Sequence, residues 1–355
     1  MRVLIVGGGV MGCGAALELV RRGIDDVVVL ERAVAGAEAS SAAAGMLAAQ
    51  IESPDETLVA RFVAARDAYG AWANALRDTT GIDVGYRRPG ALQIARTDAE
   101  LEAFRTRIER QRALGLRGEI LDARAARDVE KEVAASIAGA AWLPDEAQVD
   151  PPQLLRALVA AAAKAGVVIR GGRTVSSLAE ENGRCVGVDL DTRETLRADA
   201  TILAAGSWSS LVPGVPATLP RVRPVRGQLV MLEERPPRLA HILASEHAYV
   251  VPRGDGRVVC GSTMEDVGHK REVTAGGVFS ILGAAISLAP GLASAELTRT
   301  WCNFRPYAGV AAPLVGASPL PGLFLATGHH RNGILLAKAT ADAVADAVAA
   351  AREPR

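Results

Sequence analysis

Apolar residues along this chain follow two periods, and the places where the period changes mark its elements. Arg2 to Val6 is a short run rich in β-branched residues, Val10 to Arg22 is a helix-like stretch, and Val27 to Leu30 is a second short run. That order predicts a β-α-β unit on a parallel sheet. Thr57 to Thr80 places Phe62, Tyr69, Trp72 and Leu76 at three-, four- and seven-residue spacings, which predicts a helix. Asp98 to Leu114 reads as a second, more charged helix on a surface, and Pro151 and Pro152 suit the first turn of an Ala-rich helix reaching about Ala165.

Shorter strands follow: Val167 to Arg170, Thr174 to Leu178, and Arg184 to Leu190, with a turn at Glu181, Asn182 and Gly183. They predict a small appended sheet. The apolar run in ATILAAGSWSS at 200–210 predicts a return to the parallel sheet. From Arg221 to Arg305 the strands lengthen (VRPVRGQLVML, HAYVVPR, RVVCGSTM) around one helix at about Gly277 to Leu288, and the chain comes back to the first sheet at LFLATG. The architecture expected is α/β (α+β), with two intimately joined domains. Residues 1–85, 145–215 and 315–355 form a discontinuous nucleotide domain, and residues 86–144 and 216–314 an inserted, mainly antiparallel β substrate domain. The small-residue segment AVAGAEASSAAAGMLAAQIESPDE at 33–56 has little periodicity, and in a compact domain such a loop is usually functional.

Composition narrows the partners. Forty basic and 40 acidic residues give a formal net charge of zero, which favours neither a nucleic-acid nor a membrane partner. Cys13, Cys185, Cys260 and Cys302 lie far apart without a CxxC pair, so no metal site or disulfide framework is expected and a cytoplasmic setting is the simplest. Val3 to Val20 carries only Glu18 as a charge, yet glycines at 7, 8, 9, 12 and 14 interrupt it, so it reads as strand, turn and buried helix rather than as a leader or anchor.

Gly7, Gly9 and Gly12 make GxGxxG between a strand and a helix. The first glycine permits the tight turn, the second admits the pyrophosphate, and the third lets helix and strand pack closely, with the phosphates at the helix N-terminus. Glu31 ends the second strand 19 residues after Gly12, where a carboxylate can accept bonds from both ribose hydroxyls. This site leaves FAD and NAD(P) open. Arg32 suggests a 2′-phosphate, but Glu31 would repel one.

Five motifs carry a resemblance that runs over nearly the whole chain: GGGVMG at the start, SSAAAGML at 40–47, AAGSWS at 204–209, AYVVPR at 248–253, and GHHRNGILLAKAT at 328–340. With them the chain resembles the D-amino acid oxidase superfamily, and most closely its glycine oxidase branch. The resemblance implies a Rossmann-like FAD-binding domain of the glutathione-reductase type and a non-covalent FAD. It implies oxidation of a small amine next to a carboxylate, with electrons passed to oxygen, and assembly as a homo-oligomer, a tetramer by analogy. The cofactor would rest on Gly7, Gly9, Val10, Met11 and Gly12, on Glu31 and Arg32, and on Ser40, Ser41, Ala43, Ala44, Gly45 and Met46. Val175, Ala205, Gly206 and Trp208 would also bind it, with His330, Arg331, Asn332, Gly333, Ile334 and Leu335 at the flavin-ring end. The amino end of the apolar helix after Gly333 would stabilise negative charge on the reduced ring.

Arg305 is the expected anchor for the substrate carboxylate, because a planar guanidinium fork matches carboxylate oxygens two for two. Alternation over 299–305 places it on one strand face with Trp301 and Asn303, opposite Cys302 and Phe304, and Pro306 is expected to end the pairing. Tyr249 matches a tyrosine that in glycine oxidases lies over the substrate, and Arg331 matches a second arginine. Met46 and Met264 match apolar pocket residues, and His247, two residues before Tyr249, would share its strand face. The reaction implied is hydride transfer from the substrate Cα, giving an imine that water hydrolyses; for glycine the products are glyoxylate and ammonia, or the imine feeds thiazole assembly for thiamine. A D-amino acid or sarcosine-type oxidase or dehydrogenase, passing electrons to a quinone, would use the same elements. In sarcosine oxidases a cysteine links the flavin, but Cys302 faces away from Arg305. Related sequences commonly have Asp-Gly shortly after the arginine, where this chain has Val310, Ala311 and Ala312.

Overall fold

The computed structural model describes residues 1–52 and 56–352, without the side chains of residues 56 and 57. Residues 53–55 of the 33–56 segment, and 353–355 of the range 315–355, lie outside the described residues. The expected β-α-β unit is formed by the strands Arg2–Val6 and Asp26–Leu30 around the helix Val10–Arg21. Its sheet has six strands, in the order Leu314–Ala317, Leu323–Thr327, Ala200–Leu203, Arg2–Val6, Asp26–Leu30, Val168–Arg170. All pair in parallel except Leu314–Ala317, which runs against Leu323–Thr327. The burial follows: Leu4, Ile5, Val29 and Ile202 are sealed from solvent, because helices cover one face and the appended sheet the other.

On the helical face, Val10–Arg21 packs against Ala337–Ala350 and Pro151–Lys164. Their alanine-rich faces let the axes approach closely: a Cβ on Gly14 would stand 3.2 Å from Cβ of Ala341. The region expected as one helix from Thr57 to Thr80 is two helices, Glu56–Asp67 and Tyr69–Thr80. Their backbone bonds continue through Ala68, whose amide donates to Ala64 O at 3.1 Å. Phe62, Tyr69, Trp72 and Leu76 are buried together, as their spacing predicts. The charged helix Asp98–Ala113 buries only Ile108 and Gln111 and is capped by the Thr97 hydroxyl, which accepts from the Glu100 amide.

The appended sheet contains Val175–Glu181, Arg184–Leu190 and Thr195–Arg197, joined by a turn with positive φ at Asn182 and Gly183. The strand Val168–Arg170, expected there, instead forms the edge of the parallel sheet beside Asp26–Leu30. The helix before it delivers the chain to that edge, which completes a second parallel crossover.

The third sheet has eight strands: Glu296–Tyr307, Arg223–Glu233, Arg257–Gly261, Tyr249–Pro252, Ile242–Ala244, Ala91–Ala95, Gly139–Leu143 and Glu119–Asp122. Every pairing is antiparallel except Ile242–Ala244 with Ala91–Ala95. Helix Ala275–Leu288 covers one face through Ile281, Ala285 and Leu288. The strand through Arg305 is longer than expected, and Pro306 does not end it: Pro306 stands opposite Pro224 and Tyr307 opposite Arg223. Glu296–Tyr307 is an edge strand, where a residue without an N–H costs no ladder bond on the outer side. Among the described residues no helix is long and apolar enough to cross a membrane.

Candidate active site and cofactor cleft

One continuous cavity runs from the end of the strand Arg2–Val6 to the edge of the eight-stranded sheet. At its first end, Gly7 and Gly9 form the wall and Gly12 lies behind it. A Cβ on Gly12 would fall 1.9 Å from Gly7 O, so only glycine lets the helix sit this close to the strand. Glu31, 8% exposed, accepts from the Gly8 amide at 2.9 Å and the Ala33 amide at 3.0 Å. Each carboxylate oxygen keeps a further lone pair directed to partners such as ribose hydroxyls. Ser40 Oγ accepts from the Val10 amide at 3.0 Å, while the Gly9 amide has no protein acceptor among the described residues. Val10 and Met11 complete this helix start, which favours negative charge.

The cavity is also lined by Ala43, Ala44, Gly45 and Met46 and by Val175, Ala205, Gly206 and Trp208. Small side chains do not make the first segment loose. Arg253 donates to Ala44 O at 2.5 Å, Val149 O at 2.7 Å and Gln148 Oε1 at 2.8 Å, and Trp301 Nε1 donates to Ala42 O at 2.9 Å. Burial pushes the Arg253 pKa down to about 10, which leaves it charged at neutral pH. The Arg32 guanidinium lies 3.8 Å over the Trp208 ring. Ser41 is not on the wall; its hydroxyl donates to Gly36 O and shapes the turn from behind.

At the far end, Arg305 and Tyr249 meet on the cavity wall. Arg305 is half-buried and donates to Thr263 O at 3.1 Å and to Ser262 Oγ. Among the described residues it forms no ion pair. Burial lowers its pKa while the neighbouring Tyr249 opposes that shift. Two glycines make room for the pair. In the antiparallel register Gly227 faces Asn303, and a Cβ there would be 2.4 Å from Arg305 Nη1; Gly261 faces Tyr249, and a Cβ there would be 2.5 Å from its hydroxyl.

Residues His330, Arg331, Asn332, Gly333, Ile334 and Leu335 form the remaining wall. The regular helix begins only at Ala337; 330–332 is a 3₁₀ turn, and Gly333 to Leu336 form further turns. The expected helix N-terminus at Gly333 is therefore replaced by turn amides. Those of Gly333, Ile334 and Leu335 have no backbone acceptor among the described residues, and they can hold negative charge in its place. Arg331 lies on the wall, but Glu52 Oε1 takes its guanidinium at 2.5 Å. Burial, with Arg305, Arg331 and Arg223 nearby, pushes the His330 pKa down to about 4, and burial brings His329 to about 3. Both imidazoles are neutral at neutral pH.

Two expected pocket residues lie elsewhere. His247 precedes the strand, which starts at Tyr249, and sits in a turn whose amides donate to Ser245 Oγ; its side chain points to solvent beside Glu246. Met264 is 57% exposed, in the segment after Gly261, and is off the wall. Cys302 is buried and also off the wall. Glu38, Glu52, Thr174, Leu229 and Asn303 line the cavity without having been singled out. Glycines at 227 and 261 inside strands were the one legible sign that something passes close by.

The residues present fit a dinucleotide carrying a reactive ring: a carboxylate for ribose, free amides for phosphate, a wall of small residues, turn amides and an unpaired arginine. The profile of the FAD-dependent oxidoreductase family matches residues 2–347. The chain is 36% identical to a glycine oxidase of Geobacillus kaustophilus over 351 residues, covering 98% of this chain and 92% of that protein. It is 34% identical to a bifunctional protein ThiO/ThiG of Nostoc sp., covering 98% of this chain but only 52% of that one, so the chain spans about half of the bifunctional protein. The crystal structure of the Geobacillus kaustophilus glycine oxidase superposes with a TM-score of 0.92 over 98% of this chain and 94% of that one. A cleft with these anchors, on a chain matched almost from end to end, makes this protein a member of the FAD-dependent oxidoreductase family.

Proposed function

We propose that this protein is an FAD-dependent oxidase of glycine or a similarly small amino acid, converting it with dioxygen and water to the oxo acid, ammonia and hydrogen peroxide. The observation that carries the reading is Arg305: a cation without a carboxylate partner among the described residues, on the wall of the cofactor cleft and beside the Tyr249 hydroxyl. FAD, held non-covalently by the cleft residues described above, would supply a two-electron acceptor for the Cα hydride that dioxygen can reoxidise.

The protein's own part is orientation and electrostatics. Arg305 and Tyr249 grip the carboxylate, so that Cα can reach only one place. Leu229, Met46 and Tyr249 pack together around that end, which favours a substrate with little or no side chain. The neutral His330 adds no third charge beside Arg305 and Arg331. The turn amides of 333–335 stabilise negative charge at the ring end. Membership of the two large sheets supports a domain division at 1–85, 145–215 and 315–355 against 86–144 and 216–314. A cytoplasmic setting fits four unpaired cysteines. A homo-oligomer, and delivery of the imine to thiazole assembly for thiamine, complete the proposal by analogy.

Arg305→Met tests the reading. The amino-acid KM is expected to rise on the order of a hundredfold, as for loss of one partner of a charge pair, with FAD affinity little changed. Equal loss of both would make Arg305 part of the scaffold instead.

A further inference from the structure

The segment that leads from the strand Arg257–Gly261 of the eight-stranded sheet to the helix Ala275–Leu288 carries two side chains that pack on residues of the cofactor cleft's wall. The His269 ring stacks on Trp208 with centroids 4.8 Å apart and planes at 24°, and its Nε2 lies 3.2 Å from Ser207 Oγ. Phe304 closes the group edge-on, 5.2 Å from His269 and 6.0 Å from Trp208. Two residues on, Arg271 pairs with Glu38. Glu38 also takes Arg32 at 2.7 Å and Asn303 Nδ2 at 3.3 Å.

His269 and Arg271 themselves do not line the cleft; Arg32, Glu38, Trp208 and Asn303 do. Arg32 follows Glu31, so this wall stands at the ribose end. Stacking on Trp208 fixes the ring against which Arg32 rests, and the Glu38 carboxylate ties together a loop of the parallel sheet, the edge strand of the other sheet, and the connecting segment. Neither substrate anchor, Arg305 or Tyr249, belongs to the cluster.

We propose that the stretch around His269 and Arg271 is a clasp that retains FAD, with these two residues acting as positioning residues through Trp208 and Glu38. FAD leaves when this clasp lifts, and the amino acid has no part in the step. The inference rests on the FAD reading of the cleft and is independent of which amine is oxidised.

The test uses H269A, R271A, the double variant and R271K, without any amino acid present. FAD dissociation constants and release rates are read from flavin fluorescence, and melting temperatures are taken with and without FAD. One stacked ring and one ion pair together predict a dissociation constant raised on the order of tenfold in the double variant, through faster release. R271K, which keeps the charge, stays near the parent, and the apoproteins melt together while the FAD-induced rise shrinks. Unchanged FAD release in the double variant overturns the clasp. An apoprotein that melts as much lower as the holoprotein also overturns it, because the cluster would then be ordinary packing.

Discussion

The guanidinium of Arg305 lies over the backbone of Gly227 on the neighbouring strand, so close that a Cβ on Gly227 would be 2.4 Å from Nη1. Arg305 pairs across the strands with Val225, and its side chain reaches diagonally over residue 227 into the cavity. Gly227→Ala is therefore expected to displace the guanidinium while leaving the sheet intact. A misplaced charge-assisted hydrogen bond costs about 1.5–3 kcal/mol, so the amino-acid KM should rise at least about tenfold. Steady-state kinetics on FAD-saturated enzyme checks this, and an unchanged KM would show that the guanidinium has room to spare.

Gly261→Ala acts on the partner. A Cβ there would meet the Tyr249 hydroxyl, and the expected loss in kcat/KM resembles that of Tyr249→Phe, about threefold to tenfold for one hydrogen bond. If the double variant loses no more than either single one, the two changes remove the same contact.

Glu31 holds two backbone amides with its two oxygens. Glu31→Ala leaves both without an acceptor and removes the carboxylate proposed to hold the ribose, so FAD binding should weaken by on the order of a hundredfold. Glu31→Gln, which keeps one acceptor, should fall between. Titration of the apoproteins with FAD gives the order directly.

His329 is 4% exposed, its Nε2 is 2.8 Å from Thr340 Oγ1, and burial depresses its pKa to about 3. A base whose folded pKa lies below its unfolded value of about 6.5 contributes stability that is present above that value and lost as pH falls toward the folded value. Relative to His329→Gln, the parent should lose about 1.4 kcal/mol per pH unit between pH 6 and 4. Denaturant unfolding of the two proteins across that range measures the difference, and parallel curves would mean that His329 charges without cost.

Much of the fold was legible because local pattern and tertiary role agree. The β-α-β unit announces itself through Val3 to Leu30, and Pro151 opens its helix where a missing N–H does no harm. What failed was non-local. Nothing in Val168–Arg170 says which sheet it will join, and Pro306 reads as a strand end until the strand is seen to lie on an edge. At the site, His247 looked like a strand neighbour of Tyr249 because alternation was extended back to it, where hydrogen bonds to the Ser245 hydroxyl make a turn. Arg305 was legible from its chemistry, but its vacancy was not, since only the structure gives Arg331 to Glu52 and leaves Arg305 with a hydroxyl and a carbonyl. The clasp cluster was invisible, as it draws on segments near 32, 208, 270 and 303 that meet only after both sheets have formed.

Oxidation of a small amino acid in this cleft is checked by mixing the holoenzyme anaerobically with glycine, sarcosine, D-alanine and D-proline while following flavin absorbance. Glycine should bleach the flavin, the larger amino acids should do so less well, and admitting oxygen should restore the yellow colour with formation of hydrogen peroxide. A flavin that stays oxidised with every one of these amino acids would rule out an amino acid oxidase.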